Sequence, residues 1–206
     1  MAIVLHHHPY SRAANVLWML EEVGVPYQLT NVDIMHGGQK APELVKLNPM
    51  GKLPTLVDGD VVVTESAAIA LYLADRYAYG TLAPKVDDPK RGTYLRWSFF
   101  APSVIEPGSA AKAGKWECKE SSVGWGNYET MLGTMEHAVT GRDWLLGDTF
   151  SMADVVFGGT VRYMLMVKAF DPQPALAAYA ERLGARPAAK RADERNAAIR
   201  KELGLG

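Results

Sequence analysis

The sequence predicts an α/β segment followed by an all-helical one, a fold class of α/β plus all-α. Three observations predict it. Short apolar strands alternate with helical stretches over the first 80 residues. A hairpin signal, Asp58-Gly59-Asp60, lies between two β-favouring runs in that region. Beyond a polar, proline-bearing stretch from Pro84 to Pro89, every periodic segment repeats at helical spacing. With 206 residues and 48% hydrophobic content, the chain has material for two small domains with substantial cores.

Ile3-Val4-Leu5-His6 is apolar and reads as a buried strand, which Pro9-Tyr10-Ser11 breaks. From Arg12 onward Val16, Leu20 and Val23 share one helical face with Leu17 beside them; Ser11 stands at the N-cap position and Gly24 at the stop. Pro26 to Ile34 alternates and predicts a second strand. Met35 to Leu47 reads as a glycine-containing loop with a short helix. Pro54–Val57 and Val61–Thr64 read as the hairpin strands, and Ala67–Tyr77 as a helix with Ile69, Tyr72, Leu73 and Tyr77 inward. The order is therefore β-α-β-α-β-β-α. Domain boundaries follow: 1–80, a linker over 81–88, and a helical domain over 89–206.

In the second part Tyr94, Trp97 and Ala101 form one stripe, and Pro102 and Pro107 predict a kink or an end to that helix. Trp125, Tyr128, Leu132, Met135 and Val139 follow the spacing of a bundle helix. Phe150-Ser151-Met152-Ala153-Asp154-Val155 reads as a capping box, with Ser151 as N-cap, Asp154 at N3 and a Phe150–Val155 staple. Two further helices are predicted over Pro174–Leu183 and Ala188–Leu203.

Charge argues against nucleic acid as a partner. Lys+Arg 22 against Asp+Glu 23 leaves a net charge of -1, and Lys190, Arg191, Arg195, Arg200 and Lys201 alternate with acids as on a solvated helix face. No apolar run approaches the roughly 18 residues of a membrane span, and the start lacks the basic-then-apolar pattern of a signal peptide. The single cysteine, Cys118, permits no internal disulfide, so a cytoplasmic location is expected. His6-His7-His8 is not expected to hold a metal, because adjacent strand residues point to opposite faces.

The chemistry-bearing stretch is Asn48-Pro49-Met50-Gly51-Lys52-Leu53-Pro54, followed by Thr64-Glu65-Ser66. If the Leu53-Pro54 bond is cis at the entrance to an edge-accessible strand, the Leu53 N–H and C=O face outward and can pair with a short peptide. A proline that merely starts a strand explains the same residues. Glu65-Ser66 opens a helix, where orphan N–H groups and the dipole attract a carboxylate and a glutamate can accept from an ammonium. Simple capping by Thr64 or Ser66 is the alternative. Ser11, at another helix start, suits stabilisation of a thiolate, whose free pKa is about 8.5; an ordinary N-cap explains it equally.

In combination these motifs resemble the cytosolic glutathione S-transferases over nearly the whole chain. The carrying residues are Pro9-Tyr10-Ser11-Arg12, Leu17 to Gly24, Asn48 to Pro54, Thr64 to Ile69 and Phe150 to Asp154. The resemblance implies a thioredoxin-like N-terminal domain, an all-α C-terminal domain and a homodimer. It also implies glutathione as co-substrate, a small hydrophobic electrophile as second substrate, a detoxification role, and no metal. Carried over by position, Leu53 beside a cis Pro54 would pair with the cysteinyl part of glutathione. Glu65 and Ser66 would hold the γ-glutamyl end, and Gln39, Lys40 and Lys52 are candidates for the glycine carboxylate. Ser11 falls where the serine classes keep their hydroxyl, so the chain resembles a theta-like bacterial member; Tyr10 and Asn15 are alternates for contact with the sulfur. Trp97, Phe100, Trp116 and Tyr128 are candidate second-substrate residues, with core packing as the alternative for at least two of them. The rival activities are a glutathione-dependent reductase, isomerase or dehalogenase, or a non-catalytic binding module.

Overall fold

The computed structural model describes residues 2–170 and 173–205. The chain divides into two compact units: Met1–Ala78 together with Arg186–Gly206, and Tyr79–Ala185.

The first unit holds β1 (Ile3–His7), α1 (Ala13–Val23), β2 (Tyr27–Asn31), a 3-10 turn at Gly38–Lys40, α2 (Pro42–Leu47), β3 (Thr55–Asp58), β4 (Val61–Thr64) and α3 (Ser66–Tyr77). The strands form one sheet in the order β2-β1-β3-β4. β1 pairs parallel to β2, with Leu5 opposite Leu29, and antiparallel to β3, with Leu5 opposite Leu56. Leu5 and Leu56 are fully buried at the sheet centre. β3 therefore has a neighbour on each side. The edge-accessible strand expected at Pro54 is corrected: β3 is internal, and the exposed part is the segment that leads into it.

Gly24 ends α1 in the left-handed region (φ 73), and its N–H donates to the Leu20 carbonyl at 2.9 Å. Burial on α1 is wider than the predicted stripe, since Trp18 and Met19 are also covered. The reason lies at the other end of the chain. Helix α9 (Pro187–Glu202), which composition groups with the helices of 89–206, packs on α1 within the first unit. Arg186 closes a two-pronged ion pair on Glu22, with both contacts at 2.7 Å, and Arg191 donates to Glu21 at 2.6 Å. Lys190, Arg191, Arg195 and Lys201 are exposed, as a solvated basic face requires, and Arg191 is in addition paired with Glu21. The His7 ring also reaches α9, with Nε2 2.8 Å from the Asn196 side-chain oxygen.

The second unit holds α4 (Arg91–Phe100), a π-helical turn at Ala101–Ile105, α5 (Glu106–Gly114), a 3-10 turn at Glu120–Ser122, α6 (Tyr128–Val139), α7 (Met152–Met166) and α8 (Pro174–Gly184). No helix or strand falls in 81–88. The break predicted at Pro102 and Pro107 takes the form of that π turn, which absorbs the missing Pro donors while α4 continues into α5. Trp125 lies outside α6, whose N-cap is Asn127; the Asn127 side chain accepts from the Thr130 amide at 2.8 Å. A short polar residue with a free carbonyl overrides the apolar period there. The core is aromatic: Trp97 meets Phe100 and Phe157 with ring centroids 5.0 and 5.5 Å apart. Gly158 lets α7 lie against α8, because a Cβ there would come within 2.1 Å of Leu183. Among the described residues no helix is long and apolar enough to cross a membrane.

Candidate functional site

The antiparallel register brings the sequence motifs to one end of the sheet. Thr55 pairs with His6 of β1 and with Thr64 of β4. Continued by two residues, the same register puts Leu53 opposite His8 on one side and Ser66 on the other. The turn carrying Ser11 follows β1 at that end, and α1 and α3 both start there. Positions 11, 53, 65 and 66, separated by up to 55 places in sequence, thus share one rim because of strand direction alone.

Leu53 is half-buried and the Leu53-Pro54 peptide bond is cis. The Leu53 amide and carbonyl have no partner among the described residues. Asn48, to which the sequence reading gave no role of its own, builds this segment. It is buried; its side-chain NH2 donates to the Lys52 carbonyl at 3.0 Å and its side-chain oxygen accepts from the Met50 amide at 3.1 Å. The Thr55 hydroxyl adds a second donor to the Lys52 carbonyl at 3.3 Å. The Asn48-Pro49 dipeptide was the available signal, since Asn before Pro marks a turn held by its own side chain.

Glu65 adopts φ 67, in the region that a non-glycine residue rarely occupies. It is the N-cap of α3, yet its side chain makes no capping bond, and Ser66 is the first residue of the helix. The amides of Ser66, Ala67 and Ala68 consequently have no partner among the described residues. Thr64, offered as a cap, is a strand residue of β4. The helix start is open: two side chains and three N–H groups converge on it, and none is used internally.

Ser11 is half-buried. Its hydroxyl donates to the His8 carbonyl at 2.8 Å and accepts from the Ala13 amide at 3.1 Å. The N-cap expected at Ser11 is corrected: Arg12 holds that position and makes no side-chain capping bond, while Ser11 braces the turn just before α1, and its one proton already has an acceptor. Tyr10 is 56% exposed, but its hydroxyl donates to the Leu205 carbonyl at 2.7 Å. His8 is buried, its Nδ1 accepts from the Tyr10 amide at 3.1 Å, and burial pushes its pKa below the ordinary value. The tautomer with a proton on Nε2 is the one this bond selects. His7, fully covered, is likewise pushed down by burial, so the histidine run is held neutral.

The three candidates for a terminal carboxylate occupy neighbouring turns. Lys40 Nζ donates to the Met50 carbonyl at 2.9 Å, which lays its chain across the loop built by Asn48. Gly51 is required beneath it, because φ is +55 and a Cβ would come within 2.8 Å of Lys40 Cδ. Gln39 keeps its side-chain oxygen buried without a partner, and Lys52 is exposed. Asn15 is half-buried on the first turn of α1.

In the second unit Trp97 is core, as is the half-buried Phe100 against it. Trp116 is 60% exposed. The Tyr128 hydroxyl donates to the Ala169 carbonyl at 3.3 Å and Lys112 Nζ lies 4.9 Å from its ring centre. Asp154 is fully buried and accepts four bonds, from the Leu145 and Ser151 amides and the Ser151 and Tyr179 hydroxyls, at 2.8–3.0 Å. That is the predicted capping box, with a structural role. Among the described residues no group of three or more His, Cys, Asp or Glu side chains is placed to hold a metal ion.

Comparison with known proteins identifies the family. The family described as "Glutathione S-transferase, N-terminal domain" matches residues 1–75, and "Glutathione S-transferase, C-terminal domain" matches residues 105–182. Glutathione S-transferase 1 of Triticum aestivum is 30% identical, with 91% of each chain covered. Glutathione S-transferase APIC of Nicotiana tabacum is 29% identical over 91% of this chain and 95% of its own. Among solved structures, a glutathione transferase of Methylococcus capsulatus superposes with a TM-score of 0.79 at 27% identity, over 95% of this chain and 99% of that one. The glutathione transferase URE2P8 of Phanerochaete chrysosporium, solved with oxidized glutathione, gives 0.78 at 26% identity over 97% and 96%. The chain belongs to the glutathione S-transferase family, with a thioredoxin-like sheet unit and a helical unit.

Proposed function

We propose that this protein is a glutathione transferase of the serine type, activating the thiol of glutathione for attack on a small apolar electrophile. The observation that carries the reading is the meeting, at one rim of the sheet, of unpaired Leu53 backbone, the open α3 N-terminus and the Ser11 hydroxyl. Each is chemically suited to a different part of one tripeptide. Leu53 offers an N–H and a C=O to the cysteinyl residue in β fashion. The free amides of α3, with the Ser66 hydroxyl, bind the γ-glutamyl carboxylate, while Glu65 accepts from its ammonium. Lys40 and Lys52 supply positive charge for the glycine carboxylate, and the Gln39 oxygen accepts from the adjoining amide nitrogen.

In the reaction the thiol proton leaves to solvent and the sulfur lone pair forms the new bond to carbon. A leaving group departs with its bonding pair, or a conjugated double bond takes up that pair together with a proton. The protein's part is to hold the sulfur as thiolate by a hydrogen bond from Ser11 and to orient it. Both hydroxyl protons rest on a backbone carbonyl, so Ser11 is preferred over Tyr10 on position: it is half-buried in the turn beside the rim, whereas Tyr10 is 56% exposed. A theta-like placement follows from the serine. A homodimer, a cytoplasmic location and a detoxifying role are the accompanying expectations.

Calorimetry with glutathione and a conjugation assay on an aromatic halide test the reading together. Binding in the micromolar-to-millimolar range with turnover is the expected result. Binding without turnover on any halide would favour the reductase, isomerase or dehalogenase chemistry, and no heat at millimolar ligand would leave only the binding-module reading.

A further inference from the structure

One buried polar side chain of α9 reaches the turn that carries Ser11. The covered stripe of that helix runs Ala189, Ala192, Asn196 and Ile199, at spacings of three and four, so a single amide stands in an apolar row. A buried amide weakens a fold unless its donors and its acceptor find partners. Asn196 finds both within the sheet unit. Its NH2 donates to the Ala14 carbonyl at 3.4 Å, and its oxygen lies 2.8 Å from His7 Nε2. The bond to Ala14 decides which way the amide faces, and that orientation makes His7 the donor from Nε2.

These two contacts flank the turn. His7 is the last residue of β1 and Ala14 lies in the first turn of α1, with Ser11 between them. The bonds inside the turn close it on itself: the Ser11 amide and hydroxyl both donate to the His8 carbonyl, at 3.0 and 2.8 Å, and the Ala14 amide donates to the Ser11 carbonyl at 3.1 Å. Asn196 holds it from outside, because one planar amide bonded at both ends sets the separation of the two flanks. It also ties them to α9, which the Arg186–Glu22 and Arg191–Glu21 pairs fasten to α1. The bond from the Tyr10 hydroxyl to the Leu205 carbonyl lies open to solvent and grips only the outer part of the turn. We propose that Asn196 is a positioning residue for thiol activation, joining the end of β1 to the start of α1 so that the Ser11 hydroxyl is aimed at the glutathione sulfur. The proposal rests on the serine reading above. Asn196 touches no substrate and acts through the turn. A hydrogen bond weakens steeply with misalignment, so a relaxed turn loses the thiolate contact while Leu53, Glu65 and Ser66, on other segments, still bind the tripeptide.

The test places Asn196→Ala and Asn196→Asp in the parent and in Ser11→Ala protein, and reads the thiol pKa of bound glutathione from its ultraviolet absorbance across pH. Asn196→Asp keeps the side chain's size and the acceptor for His7 but loses the donor to Ala14, so it decides the matter if the alanine variant does not fold. In the parent, either substitution is expected to raise the thiol pKa by up to the roughly 0.4–1.5 units that the Ser11 bond is worth. The kcat near pH 6.5 should fall about two- to tenfold while KM for glutathione stays within about twofold. In the Ser11→Ala background the same substitutions should shift the pKa less than roughly half as far, because no hydroxyl remains to be misplaced. A thiol unshifted by both Asn196 variants, or shifted equally with and without Ser11, would overturn the proposal, and the serine reading would stand if Ser11→Ala alone shifts the thiol. An unaltered thiol pKa in Ser11→Ala would overturn both.

Discussion

Replacing Ser11 by alanine measures what the hydroxyl is worth, and the structure sets the size of the answer. The Ser11 proton rests on the His8 carbonyl at 2.8 Å, so donation to a thiolate requires that bond to be given up. A neutral hydrogen bond contributes about 1 kcal/mol net and one to an ionised group about 1.5–3 kcal/mol. The exchange therefore favours the thiolate by about 0.5–2 kcal/mol, or roughly 0.4–1.5 pKa units at about 1.36 kcal/mol each. Ser11→Ala should raise the pKa of bound glutathione by about one unit and slow conjugation near pH 6.5 by about two- to thirtyfold. Glutathione affinity of the protonated form should hold, because Leu53, Glu65 and Ser66 are untouched. Loss of the bond from the Ala13 amide lowers stability by about 1 kcal/mol, too little to unfold a domain of ordinary stability. The assay is the ultraviolet absorbance of the bound thiolate followed across pH, alongside the rate profile. Ser11→Thr should retain most of the effect, and Tyr10→Phe should change the pKa little. An Ala variant with an unaltered thiol pKa and rate would remove Ser11 from the mechanism.

Three further outcomes are expected. Glu65→Gly releases the strain of φ 67, about 1–3 kcal/mol less about 0.5–1 for glycine's freedom, so thermal stability should hold or rise while glutathione affinity falls at least about tenfold by calorimetry. Asp154→Ala strands the buried donors of Leu145, Ser151 and Tyr179 and should lower the unfolding free energy by about 3–5 kcal/mol in urea titration; a loss below about 1 kcal/mol would contradict the network. For His7, burial outweighs its bonds to Asn196 and Asn31, with His8 and Arg195 adding in the same direction, so the folded pKa lies below the model-peptide value of 6.5. A depressed folded pKa gives stability that is present above 6.5 and lost as pH falls towards the folded value. Denaturation midpoints should therefore drop on acidification below that point, by at most about 1.4 kcal/mol per pH unit for this one proton. His7→Gln should flatten that slope, and an unchanged slope would exclude His7 as its source.

The elements with their own periodicity or punctuation were legible in the sequence. Val61–Thr64 matched the hairpin reading to the residue, and Gly24 and Ser151 ended and began helices where their conformational preferences require. The candidate site residues stood out in the sequence because they sit at element ends, which carry turn and cap signals. What escaped were relations between distant segments. Nothing in Pro187–Glu202 announces that it packs on α1, since the pairings of Arg186 with Glu22 and of Arg191 with Glu21 span 164 and 170 positions and the helix's own pattern is only polar-with-apolar. Charge alternation on an isolated helix cannot distinguish solvent from a partner acid. The internal position of β3 was invisible for a similar reason, since strand order is a property of pairing and Pro54 marks only where the strand begins. Trp125 misled because an aromatic at helical spacing was weighed above Asn127, whose side chain decides the boundary.

Three helix starts separate the structural from the functional use of the same residue types. At α7 the capping box is complete and buried, leaving Ser151 and Asp154 no donor or acceptor for a ligand. At α1 the Ser11 hydroxyl is satisfied at both its proton and its lone pair, but by bonds it can exchange, and the residue is half-open to solvent. At α3 the cap is absent, although serine and glutamate stand there, and the backbone is bent into a strained conformation that turns them outward. A sequence with Ser or Thr and an acid at a helix start ordinarily saves about 1 kcal/mol by capping. At α3 that stabilisation is forgone and strain is added, and the free amides are left to solvent or a ligand. Resemblance of composition among the three starts thus hides an order of commitment, and the least capped of them is the one to which the proposed function assigns the γ-glutamyl carboxylate.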